Sequence, residues 1–230
     1  MSIIEDTEEI LSFLDSKKLF VFDFDGVLAK SVDIKTKAFE EIYKPFGKDV
    51  ASKVVQHHCR NGGMSRFDKF KYYHSLYLNL QLSDYQLKIL SEQFSALVVK
   101  AVIDSNEVPG ANNFLQSYCF NNKKCIINSA TPKNEIFRII EKRGMAKYFN
   151  NIFGSPSTKQ DNLKLAMGSS QMSNKDLVFF GDSESDLQAA NALQIDFIGV
   201  GKIMHDLLID LDVEYYFIND FVNLVDNLVD

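Results

Sequence analysis

Residues 18–28 read KLFVFDFDGVL, an apolar run of β-forming residues that ends in two carboxylates, Asp23 and Asp25, with Gly26 directly after them. Residues i and i+2 of a strand share a face, so the two carboxylates repel each other unless a cation or a shared proton relieves them. An Asp-Gly pair is equally at home in an ordinary acidic turn. Partners elsewhere in the chain decide between the two readings.

On the N-terminal side, residues 3–16 read as a short helix with Ile3, Ile4, Ile10, Leu11 and Leu14 toward one side, leading into the strand. On the C-terminal side the texture changes. From Ser31 to Asp104 the periodicity is helical and Pro45 is the one proline, which predicts helices over 32–44, 48–60, 66–79 and 83–103, broken at Asn61-Gly62-Gly63 and Leu82-Ser83-Asp84. Beyond Pro109-Gly110, strands are expected at 124–128, 151–153, 177–181 and 196–200. They alternate with helices at 111–120, 132–143, 159–168 and 184–193, before a last strand and helix within 214–229. Apolar strands alternating with helices imply βαβ units and a parallel sheet buried on both faces. The fold class is therefore α/β, with 1–30 and 105–230 forming the sheet-bearing core and 31–104 an inserted helical unit.

The 230 residues are 46% hydrophobic, enough to bury a proper core. A formal charge of −6 without a basic cluster argues against a nucleic-acid partner. Cys59, Cys119 and Cys125 are odd in number and widely spaced, which predicts unpaired thiols in a reducing compartment. MSIIEDTEEILSFLDS lacks the pattern of a secretory signal, and no run of about 18 apolar residues is present, so neither a membrane span nor a membrane partner is expected. The expected location is the cytoplasm, as a monomer or a homodimer.

In open parallel sheets, ligands bind beyond the carboxyl ends of the strands. Here those ends are polar: Asp23 and Asp25, then Asn128-Ser129-Ala130-Thr131, then Gly181-Asp182-Ser183-Glu184-Ser185-Asp186, with Lys159 opening a helix in between. Singly, Ser129 or Thr131 reads as a helix cap, Lys159 as a surface lysine and Asp182 or Ser183 as a cap. Jointly they suit phosphoryl transfer, which depends on positioning and electrostatic stabilisation. Asp23 and Asp182 fit a hard cation such as Mg2+. Asp23 would attack phosphorus, Asp25 would protonate the leaving oxygen and then activate water, Ser129 with the following amide of Ala130 would hold phosphate oxygens, and Lys159 would neutralise charge.

These four motifs in this order resemble the haloacid dehalogenase superfamily of phosphatases, over essentially the whole chain. The resemblance implies a three-layer, Rossmann-like core with a helical cap of the phosphoglycolate-phosphatase or β-phosphoglucomutase type at 31–104. It also implies Mg2+ held by Asp23, Asp182 and the carbonyl of Asp25, with Asp186 orienting the metal's water or Lys159 from behind. Lys159-Gln160 stands where relatives often have Lys-Pro, and Ala29-Lys30-Ser31 replaces a frequent Val-Asp-Ser. In the cap, Gly63 and Arg66 resemble a loop whose arginine meets a distal anionic group of the substrate, while a surface ion pair is the alternative. His57, His58 and Lys69 are further candidates there, although the two adjacent histidines are expected to be partly exposed. Phe67, Phe70, Tyr72, Tyr73 and Tyr77 read as packing residues. The implied activity is hydrolysis of a small phosphorylated metabolite through an aspartyl-phosphate. A sugar phosphomutase uses the same residues, a dehalogenase would lack Asp25, a non-catalytic module would be signalled by loss of Asp23 or Asp25, both of which are present, and a glycosyltransferase would not need Ser129 and Lys159.

Overall fold

The computed structural model describes residues 3–119, 123–211 and 214–226. Its elements in chain order begin with β1 (Ile3–Ile4), α1 (Thr7–Asp15), β2 (Leu19–Phe22), α2 (Val32–Tyr43), α3 (Lys48–Arg60), α4 (Arg66–Leu78) and α5 (Asp84–Asp104). They continue with α6 (Ala111–Phe114), β3 (Lys124–Pro132), α7 (Lys133–Lys142), β4 (Asn151–Ser155), α8 (Lys159–Ser170) and β5 (Leu177–Gly181). The chain then forms α9 (Glu184–Ala192), β6 (Asp196–Val200), α10 (Gly201–Ile209), β7 (Tyr215–Ile218) and α11 (Val222–Asp226).

The strands form one sheet in the order β1-β7-β6-β5-β2-β3-β4, and every pairing is parallel. β2 shows why the sheet needs a layer on each side. Phe20 and Phe22 face one apolar cluster, which takes in Ile10, Ile139 and Leu224. Leu19 and Val21 face the other, built with Leu163, Leu187 and Met204. A strand buried on both faces has no alternation to show, as the run LFVF illustrates. The parallel α/β architecture expected from the sequence is the one observed.

Between β2 and β3 the chain is helical, and its bounds have local causes. Ser65 Oγ accepts the Asp68 amide at 3.2 Å to open α4, and Ser83 forms a capping box with Gln86 to open α5. Asn79 ends α4 in the left-handed region at φ 54°. Phe39, Phe70 and Phe94 pack at the centre of these helices, with Phe39 and Phe94 centroids 4.5 Å apart. α5 lies against α7, which carries the packing on to the sheet.

Several local expectations change. Ile3 and Ile4 pair with Tyr215 and Tyr216 as an edge strand rather than opening the first helix. The 111–120 helix is α-helical only to Phe114 and continues as a π-helical turn to Cys119. β3 runs to Pro132, past the expected end at 128, with its pairing to β4 shifted between Asn128 and Pro132. α10 was not expected at all. The last helix is described to Asp226, so the expected residues 227–229 lie outside the described part. Cys119 and Cys125 are bonded to each other rather than unpaired, their Cα atoms lying 5.7 Å apart. Cys59 remains a free, exposed thiol.

Candidate active site

β2 lies between β5 and β3, so three strand ends meet at one edge of the sheet. The ladder runs one residue past β2, since the Asp23 amide donates to the Phe180 carbonyl at 3.0 Å and fixes Asp23 at the rim. Asp23 Oδ1 accepts the Phe24 amide at 2.7 Å and Oδ2 faces Lys159 Nζ at 2.9 Å. Lys159 is the first residue of α8, whose start is capped by Thr158. Asn128 ties this helix to β3 by donating to the Lys159 carbonyl at 2.9 Å and accepting from Asn162 at 3.0 Å. Lys159 also bonds Asp186, and Asp186 Oδ2 accepts from the Ser183 amide at 3.2 Å and hydroxyl at 2.6 Å. The lysine is therefore a buried fixture between two carboxylates, not a surface residue.

Asp25 has a separate set of partners. Lys35, one turn into α2, forms an ion pair with it and donates to Thr131 Oγ1 at 2.7 Å. Ser31 Oγ donates to Asp25 Oδ1 at 2.6 Å, and Thr131 Oγ1 to Oδ2 at 3.3 Å. Thr131 thus serves this network and does not cap α7, which starts after Pro132 with no side-chain cap. Ser129 is buried, its Oγ accepting the Thr131 amide at 3.1 Å.

The two neighbouring carboxylates are driven apart electrostatically. Burial would raise Asp25, but the Lys35 ammonium and the Ser31 hydroxyl outweigh it and hold the group below its ordinary range. Asp23 is pushed up to about 7 by burial and by the Asp186 and Asp25 charges, with Lys159 pulling the other way. Asp182 is raised well above the carboxylate range by burial and by Asp23. Burial disfavours the Lys159 ammonium, yet Asp186 and Asp23 more than restore it.

Asp23, Asp182 and Asp186 can each bring an oxygen to within 4.8 Å of the others. Crowded oxygen donors, of which Asp23 and Asp182 are raised by burial and by the charges around them, fit a hard divalent cation, which would reverse those two shifts. Gly26 keeps this centre compact. Its φ is +83°, and a Cβ there would lie 1.9 Å from Asp182 Oδ2.

A cavity of about 470 Å³ opens above these groups. Asp23, Asp25, Ala130 and Asp182 form its floor, while Lys35, Phe39, His58, Gly63, Arg66 and Lys69 line it from the helices after β2. The Gly62-Gly63 turn sits on the core: a Cβ on Gly63 would meet Ser185 Oγ at 1.7 Å and Ser183 Oγ at 2.8 Å. Arg66 borders the cavity but is already occupied. It pairs with Glu135 through both terminal nitrogens, donates to Ser95 Oγ at 2.7 Å and stacks on Phe94 at 4.5 Å. Arg66 is buried and Glu135 half-buried, so the pair is not a surface one. His58 is buried as well, contrary to expectation, because Lys69 and the Phe39 ring enclose it. Lys35 is the site residue the sequence reading missed; its position in the first turn of the helix after the Asp25 loop was the available signal.

The sequence profile described as haloacid dehalogenase-like hydrolase matches residues 20–200. A phosphoglycolate phosphatase of Pseudomonas putida is 25% identical over 193 residues, covering 80% of this chain and 69% of that protein. Among solved structures, β-phosphoglucomutase from Clostridium difficile superposes with a TM-score of 0.73 at 18% identity, covering 91% of this chain and 92% of that one. A haloacid dehalogenase-like hydrolase from Streptococcus pneumoniae superposes with a TM-score of 0.69 at 17% identity, covering 93% and 99%.

Proposed function

We propose that this chain, which belongs to the haloacid dehalogenase-like hydrolase family, is a Mg2+-dependent phosphomonoesterase that hydrolyses a small phosphorylated metabolite through an aspartyl-phosphate. The observation that carries this reading is the division of labour between two carboxylates two positions apart. Asp23 touches Lys159 and has Asp182 as its neighbour, whereas Asp25 is bound into Lys35, Ser31 and Thr131.

A cation held by Asp23, Asp182 and the Asp25 carbonyl would lower the charge on the phosphate and draw Asp23 into its ionised form. A free oxygen of Asp23 attacks phosphorus, and the bond to the leaving oxygen breaks as Asp25 passes to it the proton that a monoanionic phosphate ester brings into the site. Water then attacks the aspartyl-phosphate, Asp25 takes the water's proton, and Asp23 is released with inorganic phosphate. Lys35 keeps Asp25 charged in the resting site, which is the form needed for the water step. Lys159, fixed by Asp186, neutralises Asp23 and the incoming phosphate, and at the end of β3 the Ser129 hydroxyl and the Ala130 amide hold phosphate oxygens. Residues 31–104 act as a cap over this centre, with 1–30 and 105–230 as the catalytic core; the Gly63 contact with Ser183 and Ser185 supports this division. Small phosphorylated metabolites are confined by their charge to the cell interior, which supports a cytoplasmic location now that the cysteines no longer do.

Phosphate release from a panel of sugar phosphates, carboxylated phosphoesters and nucleotides tests the reading. Release that requires Mg2+ and stops with a chelator is expected, and no release from any ester would overturn it. The structural likeness to β-phosphoglucomutase favours one second reading, transfer of the phosphoryl group back to a sugar. Product analysis separates them, because a mutase yields an isomerised sugar phosphate with little free phosphate.

A further inference from the structure

We propose that Ile203 and Leu207 of α10 form an apolar wall of the substrate site, so that the phosphomonoester turned over here carries an alkyl or aromatic surface on its leaving group. This rests on the phosphomonoesterase reading and adds the chemistry of the alcohol to it.

The wall follows from how α10 is placed. β6 lies beside β5 and parallel to it, so it ends at the same edge of the sheet as β5 and β2, the strands that lead into Asp182 and Asp23. Gly201, with φ +78°, turns the chain directly from that end into α10. Gly199 lets the helix come down on β6, since a Cβ there would lie 2.7 Å from Leu208 Cδ1 and 2.8 Å from Met204 Cγ. Met204 and Leu208 are buried by this contact. Ile203 and Leu207 each stand one position earlier and, being four apart, share the neighbouring face of the helix. Both border the cavity whose floor holds Asp23, Asp25 and Asp182. Ile203 is 66% exposed and Leu207 half-buried, so the fold itself leaves this apolar surface open.

The rest of the lining suits the same occupant. Val32 and Met64, both half-buried, add apolar atoms from the segment after β2. The buried cations of that segment are engaged: Lys35 with Asp25, Arg66 with Glu135, and Lys69 with His58 Nδ1 at 2.7 Å and the Gly62 carbonyl at 3.3 Å. Arg60 and Glu184 complete the charged lining, exposed and opposite in sign. One exposed isoleucine is ordinary on a protein surface. Two aliphatic side chains one turn apart on the wall of a catalytic cavity of about 470 Å³ contribute to binding only when the substrate has apolar surface to bury against them.

The test measures phosphate release with Mg2+ from n-alkyl monophosphates running from ethyl to hexyl, whose leaving groups differ in apolar area and hardly in acidity, and from glycerol phosphate beside propyl phosphate. Wild type, Ile203→Asn and Ile209→Asn are compared; Ile209 is 60% exposed on the same helix and does not border the cavity. In wild type, kcat/KM is expected to rise about three- to fourfold per added methylene, the transfer value of one buried CH2, and to favour propyl over glycerol phosphate. In Ile203→Asn the increment should fall toward one, mainly through KM, and in Ile209→Asn it should persist. Ratios between esters do not depend on how much folded enzyme a variant yields. A flat wild-type series, or a preference for glycerol phosphate, overturns the inference, as does an increment unchanged in Ile203→Asn or lost equally in Ile209→Asn. An unchanged increment with a smaller sedimenting mass in Ile203→Asn would assign this face to a second copy of the chain instead. Phosphate release with a flat series leaves the phosphomonoesterase reading standing; release from no ester, sugar phosphates included, would remove both.

Discussion

Gly26 stands where backbone and chemistry meet. With φ at +83° and Asp182 Oδ2 in the space a Cβ would take, Gly26→Ala must strain the turn and displace a proposed metal ligand together. We predict a loss of about 1–3 kcal/mol in stability and a rise in the Mg2+ concentration needed for half-maximal phosphate release; unaltered metal dependence would count against the placement of Asp182. His58 and Lys69 make a second case, in acid–base terms. Burial, Lys69 and Lys35 hold His58 down to about 2, far below the ~6.5 of an unfolded chain, so the unfolded state binds the extra proton as pH falls. Stability is therefore full above ~6.5 and declines below it, by up to about 1.4 kcal/mol per pH unit. Lys69, near 7 when folded against ~10.4 unfolded, has the same sign at higher pH, and its contribution rises between those values. Thermal melts across this range should show both slopes. His58→Gln should flatten the acid one and Lys69→Met the alkaline one; unchanged profiles would mean that neither group is perturbed.

At the scale of elements, the telling contact is α4 to α7. Arg66 opens one helix and is buried, and Glu135 lies half-buried in the first turn of the other. Removing one partner leaves an uncompensated buried charge, so Arg66→Met or Glu135→Gln should each cost about 3–5 kcal/mol in urea unfolding, and the double variant less than their sum. Additive losses would show that the pair is not coupled. This contact also marks the limit of what the sequence discloses. The apolar runs of β2, β3, β5 and β6 and the polar residues that end the first three of them were legible because a doubly buried parallel strand writes itself as a continuous stretch. The pairing of Arg66 with Glu135 was not, for nothing local links residues so far apart, and Thr131 beside Pro132 looked like a cap until Lys35 and Asp25 claimed its hydroxyl. α10 begins at a glycine with φ +78° and is short, which hid it from a periodicity reading, and Ile3 and Ile4 formed a strand only because β7 lies beside them.

On the scale of the molecule, the sheet separates stability from chemistry. Cys125 lies near the start of β3 and Ser129 toward its end, so the Cys119–Cys125 bond is remote from the strand ends that carry Asp23 and Asp182. Closing so short a loop stabilises by about 2 kcal/mol in the chain-entropy account. The Cys119→Ala, Cys125→Ala double variant should lose about that much in denaturant unfolding while keeping wild-type kcat for phosphate release. A fall in kcat would show that the two ends of β3 are not independent.

The central claim is that Asp23 carries the phosphoryl group. Acid quenching of the enzyme during turnover with Mg2+ and a phosphomonoester, followed by mass spectrometry of the peptide spanning residues 18–30, tests it most directly. A phosphoryl adduct on Asp23 is predicted, together with loss of turnover in Asp23→Asn. Steady phosphate release with no adduct, and an Asp23→Asn variant as fast as wild type, would contradict it.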